Sequence, residues 1–217
     1  ARPGEEEHLL RMIDVSRYRD VGEKATKLLD GEIHESAQRK QLKNPDSRVM
    51  FKADEYGELL EDFSFANQGI KTGDDLCWRK MFWENLFIGN GWEPYQSTVK
   101  SSCFYGGREY IINWKYEGVG MACRRPLNKA VGNKGVAISQ MGELPVTLYE
   151  GERYDSNAGP IVPFDPVNIL AIWCFCSSPE YNKEVRKIDQ SLKVTNATLV
   201  KVPFDLEHWQ RVAAEKY

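Results

Sequence analysis

Between residues 63 and 114 the chain carries Phe63, Phe65, Trp78, Phe82, Trp83, Phe87, Trp92, Tyr95, Phe104, Tyr105, Tyr110 and Trp114, with glycines spread among them. Such a density is typical of strands packed in a curved sheet, whose pleated surface suits large aromatic side chains. This density predicts a strand-rich core joined by glycine turns. Cys103-Phe104-Tyr105, Gly106-Gly107 and Tyr110-Ile111-Ile112-Asn113-Trp114 together read as a hairpin around a glycine pair. Further strands are predicted at 136–139, 146–149 and 161–162, with short ones at 48–52 and 194–202.

Helical patterns lie on either side. Residues 5–42 read as helix in two parts, with Asp20 as the N-cap between them and Asn44-Pro45-Asp46 ending the second. A short helix is predicted near 55–62. The unbroken apolar run 167–175 reads as a buried helix closed by Ser177-Ser178-Pro179, and Asp205 caps a last helix over 206–215. The expected class is α+β: a curved, mostly antiparallel β-sheet core with flanking helices and a helical N-terminal lead-in. The expected division is 1–62 as lead-in or connector and 63–217 as the main domain.

The 217 residues are enough for one sizeable core, and 41% hydrophobic with 28% charged residues suits a globular protein rather than a disordered tail. Five scattered cysteines suit reduced thiols, and no apolar run is long enough to span a bilayer, so a cytoplasmic protein is expected. The start at Ala1 and the acidic run Glu5-Glu6-Glu7 suggest a piece of something longer. Net charge is -3, but residues 96–135 hold seven basic side chains (Lys100, Arg108, Lys115, Arg124, Arg125, Lys129, Lys134) against Glu109 and Glu117, a local excess of +5. Such asymmetry would draw a polyanion to one face and repel it elsewhere. Read without a partner, the same residues are a solvated surface.

Recognisable catalytic patterns are missing. His8, His34 and His208 stand at no metal spacing to cysteine or to one another, so no metal site is expected. There is no nucleophile elbow and no phosphate-binding loop, and Gly118-Val119-Gly120 is read as a turn. Asn44-Pro45-Asp46-Ser47 begins like the Asn-Pro-Pro-Tyr signature of amino-methyltransferases but lacks the second proline and the aromatic, and is also read as a turn.

Three segments over residues 65–204, in order, resemble the C-terminal specificity region of TaqI-like and PglX-like DNA adenine-N6 methyltransferases, including the type IIG restriction-modification enzymes. The first is Gln68-Gly69-Ile70-Lys71-Thr72-Gly73-Asp74-Asp75, followed by Trp78 and Phe82-Trp83-Glu84. The second runs from Trp92 through Pro94-Tyr95 and Phe104-Tyr105-Gly106 to Tyr110-Ile111-Ile112-Asn113-Trp114. Ser97-Thr98-Val99 stands where the family has Lys-Gly-Gly, and an arginine expected near Ser102 is missing. The third joins Lys134-Gly135-Val136-Ala137-Ile138-Ser139, Tyr154-Asp155, Ala158-Gly159-Pro160, Leu192-Lys193-Val194-Thr195-Asn196 and Val202-Pro203-Phe204, with Asn196 and Ala197 departing from the pattern.

The resemblance implies a non-catalytic part that reads double-stranded DNA, while an N-terminal methyltransferase domain of the parent protein binds S-adenosylmethionine and methylates a flipped adenine. This chain itself would hold no cofactor. The turn with Lys71 and Thr72 would meet a phosphate, Lys100, Arg108, Lys129 and Lys134 would neutralise others, and Arg124 and Arg125 would read base edges. The rival expectation is a protein-interaction module that docks onto other subunits of a phage-defence assembly.

Overall fold

A computed structural model describes residues 8–42, 44, 47, 49–50, 57–85 and 88–217. The chain divides into two compact units, residues 1–57 and 58–217. In the first, β1 (Leu9–Met12) pairs antiparallel with β2 (His34–Ala37) around α1 (Val21–Asp30), and the short α2 (Gln38–Gln41) follows. Asp20 caps α1 as expected, its carboxylate accepting from the Glu23 amide at 2.9 Å. The two-part helical reading of 5–42 is corrected at 9–12 and 34–37, which form a two-stranded ribbon in which Leu10 and Met12 are less exposed than Leu9 and Arg11. The second helix is present as α1 over 21–30, which buries none of its residues. The strand expected at 48–52 and the start of the helix near 55–62 lie largely outside the described residues; Leu60–Asp62 forms a single 3-10 turn.

The second unit is α+β. It contains two four-stranded sheets. In the first, β3 (Ser64–Ala66), β10 (Ala158–Pro163), β7 (Gly135–Ser139) and β8 (Val146–Tyr149) lie side by side in that order, every pair antiparallel. In the second, β4 (Arg79–Met81), β6 (Tyr110–Asn113), β5 (Trp92–Gln96) and β9 (Arg153–Tyr154) follow in that order, with only β5 and β9 parallel.

The strand period of two explains why β7 is buried at every position. Val136 and Ile138 point to the helices of the main core, while Ala137 points the other way to Ala130, Tyr149, Tyr154 and Val162. The main core is closed by α4 (Ile169–Cys176), α5 (Pro179–Ile188), α6 (Asn196–Val200) and α7 (Leu206–Lys216). Phe175 sits among Tyr181, Phe204 and Trp209, each ring centroid 5.2 Å away. Truncating such a side chain to alanine costs about 3–5 kcal/mol. The Asp205 cap of α7 is present, accepting from His208 at 2.9 Å.

Two sequence expectations fail for tertiary reasons. The β-branched stretch 194–202 was expected as a strand but contains α6, because Thr195 caps it and Thr198, Leu199 and Val200 are buried as one helical face. Nor do 103–105 and 110–114 form a hairpin. The backbone at Gly107, with φ +71, takes a bond from Ser97 at 2.6 Å, and the chain before it runs along the open edge of β8: Cys103 donates to Val146 (3.0 Å) and Leu148 to Phe104 (3.0 Å). Phe104 then stacks on Trp173. Tyr110–Asn113 pairs with β4 and β5 instead.

Candidate nucleic-acid interface

The loop carrying Gln68 to Asp75 is stitched between two partners. Ile70 donates to the Tyr154 carbonyl at 2.8 Å, and Lys71 exchanges two 2.8 Å backbone bonds with Cys123. Gly69 is required at this crossing, since a Cβ there would lie 2.4 Å from the Asp155 carbonyl oxygen. Thr72 is buried and donates its hydroxyl to Asp75 at 2.6 Å, and Asp74 caps α3 (Asp75–Trp78) by accepting from Leu76 and Cys77. Much of this turn's polar capacity is thus consumed by the turn itself, whereas the ammonium of Lys71 remains on the surface.

Opposite this loop lies the Arg-Arg-Pro-Leu-Asn-Lys sequence, residues 124–129. The two adjacent arginines part company. Arg124 turns to Glu117, 3.6 Å from its carboxylate, in a tight loop where Tyr116 and Glu117 both adopt left-handed backbone. Arg125, itself left-handed at φ +51, sends its guanidinium to the side-chain oxygen of Gln68 at 2.6 Å. A left-handed residue with a Cβ costs on the order of 1–3 kcal/mol, so the surroundings must impose it.

Asn128 supplies that constraint. Its amide nitrogen donates to the Gln68 carbonyl (3.0 Å) and to the Tyr154 hydroxyl (2.8 Å), and its oxygen accepts from the Ala130 amide (3.1 Å). The Tyr154 hydroxyl in turn donates to the Asn67 carbonyl at 3.0 Å. Burial pushes the Tyr154 phenol up to about 12, with the Asn128 bond and the charge of Arg125 pulling the other way. Asn67, Gln68, Arg125, Pro126, Leu127 and Asn128 line an open cleft of about 440 Å³. On the other side of Gln68 a second cleft, of about 580 Å³, takes in Lys71, Asp155, Asn157 and Lys193.

The remaining expected residues are distributed differently. Arg108 is drawn inward: it lies 3.4 Å from the Glu152 carboxylate, donates to the Leu148 carbonyl at 3.1 Å and packs over Tyr105. Lys134 pairs with Glu150 at 2.8 Å, which raises its pKa. Lys100 and Lys129 are exposed. Among the described residues, Lys71, Lys100, Arg125 and Lys129 make no ion pair. The sequence reading overlooked the orienting roles of Gln68, Asn67 and Asn128. Gln68 already stood in the most specific motif, but nothing in its spacing announced a bond to Arg125.

Elsewhere Arg79 is held by Asp75 (2.9 Å) and Asp155 (3.7 Å) against the Tyr110 ring, and Arg153 by Glu93 (2.8 Å) against Trp114. These cations knit the second sheet together. Among the described residues, no three histidine, cysteine or acidic side chains are gathered to hold a metal, and no helix is long and apolar enough to cross a membrane. No protein-family model and no curated protein matches the chain.

Proposed function

We propose that this chain is the sequence-reading part of a DNA adenine-N6 methyltransferase or related restriction-modification enzyme, gripping double-stranded DNA while a neighbouring domain of the parent protein carries S-adenosylmethionine and the chemistry. The observation that carries the reading is the state of Arg125: exposed, fixed by a neutral amide, and free of any carboxylate among the described residues. A guanidinium oriented in this way keeps its full charge and spare donors, which suits the two acceptors on the major-groove edge of guanine. Lys71, whose backbone pairs with Cys123, and Lys129, four residues after Arg125, are exposed cations able to meet phosphates. Lys100 lies on a separate loop and would add a further phosphate contact.

The test is binding of a random-sequence duplex pool, followed by anisotropy over a range of salt. The chain is expected to bind with an affinity that falls as salt rises, and Lys129→Gln to lower the salt slope by about one. In the parent enzyme, Arg124→Ala with Arg125→Ala is expected to change the sequence that is methylated. An unchanged motif in methylation mapping would remove the base-reading role.

A second reading is favoured by one observation. Leu76 is 92% exposed, and Phe82 and Trp83 form an exposed edge-to-face pair, which suits a docking site for another protein subunit. Salt-insensitive capture of a stoichiometric protein partner, with no duplex binding, would select it.

A further inference from the structure

We infer that Leu127 is a wedge that enters the base stack of a bound duplex, separating two neighbouring base pairs while the cations beside it hold the strand. This rests on the DNA-binding reading and specifies how the 124–129 loop engages the double helix.

Leu127 is 94% exposed. A solitary exposed leucine is ordinary, but this one is held out by both neighbours. Before it, Pro126 has a fixed φ and follows the left-handed Arg125, whose guanidinium is tied to Gln68. After it, Asn128 is pinned to Gln68, Tyr154 and Ala130. Moving this stretch of backbone to bury Leu127 would disturb the Asn128 bonds to Gln68, Tyr154 and Ala130, which tie the loop down on that side. The backbone that carries the side chain is therefore ordered before any ligand arrives, which removes that part of the cost of binding.

The surroundings identify the occupant. Arg125 and Lys129, both exposed, lie two residues before and two residues after the apolar tip in the chain. An apolar point set between cations complements a polymer with phosphates outside and stacked, apolar base faces within. Proteins that kink DNA insert leucine and similar side chains at such steps, beside arginine and lysine. An anionic membrane shares the charge, but one leucine offers too little apolar surface for stable attachment.

The experiment uses the 217-residue chain and two short duplexes, one fully paired and one with a central mismatch beside a 2-aminopurine. A mismatch lowers the cost of unstacking, so the wild-type chain is expected to prefer the mismatched duplex about tenfold and to raise the 2-aminopurine fluorescence. Leu127→Ala should abolish that preference and the fluorescence rise, and Leu127→Met should restore both. Lys129→Gln should weaken both duplexes alike and keep the fluorescence rise. If Leu127→Ala keeps the preference and the signal, or the wild type shows neither while binding DNA, the wedge is refuted and the DNA reading stands. If no duplex binds, both fall. The same holds if phosphatidylserine vesicles are bound in place of DNA, with binding lost in Leu127→Ala.

Discussion

Two basic regions of the second unit look alike in sequence and differ in their partners. At Arg108 and Lys134 each cation faces a glutamate, Glu152 in a half-buried pair or Glu150 in a surface pair, and its charge is offset by that carboxylate. At Arg125 the partner is the uncharged oxygen of Gln68, so orientation is gained with no loss of charge. Arg124, one residue away, belongs with the first group through Glu117. The difference teaches that a cation count along a sequence overstates the charge a ligand would meet. What counts is whether the group that orients the cation is itself charged.

The contrast can be broken most forcefully at its anchor. Asn128→Ala leaves the Gln68 carbonyl and the Ala130 amide without their side-chain partner, and is expected to cost about 2 kcal/mol in urea unfolding while releasing Arg125. A stable variant with unaltered duplex binding would show that the amide anchor does not govern the arginine. A smaller loss is expected from Arg108→Ala, about 1–2 kcal/mol, because the half-buried Glu152 is stranded. Duplex affinity should hardly change, and a large drop would place Arg108 with the DNA contacts after all.

The mildest effect is a pH dependence. The Tyr154 phenol ionises near 10.0 in an unfolded chain and near 12 in the folded one, so folding favours its neutral form. Its contribution to stability is whole below pH 10 and is lost as pH rises from about 10 to about 12. Burial shifts Tyr95, Tyr149 and Tyr181 in the same direction. Urea midpoints should fall through this window, and less steeply in Tyr154→Phe. A Tyr154→Phe variant that declines as steeply as the wild type would remove Tyr154 from the account.

Some of this was legible in the residues. The Asp20 and Asp205 caps, the strands read at 136–139 and 146–149, and the apolar helix read at 167–175, which spans Ile169–Cys176, follow from local rules, since a cap or an apolar run carries its signal within a few neighbours. Residues 194–202 show where local rules lose. Their β-branched content favours a strand, yet burial against Tyr181 and β10 selects the α6 helix. The predicted hairpin failed similarly, because the edge of β8 offered residues 103–105 a better ladder than their neighbours in sequence did.

The sequence by itself determined an α+β fold, tight glycine turns and a cation-rich stretch, because backbone freedom and formal charge belong to each residue. By contrast, four of the aromatic side chains of 63–114, Phe82, Trp83, Phe104 and Tyr105, stand exposed, and the clustered rings of the main core come from 175–209. Only the tertiary structure decided which cation is neutralised, which is held by an amide, and which apolar side chain stands in solvent. Those outcomes depend on Gln68, Glu150, Glu152 and Tyr154, which lie outside the 124–129 loop in the chain and meet the cations only when the sheets pack. Hydrogen-bond energies fall off within about 1 Å of the ideal distance and Coulomb energies decline with separation and are screened over about 10 Å, so distance in space sets them and order along the chain does not.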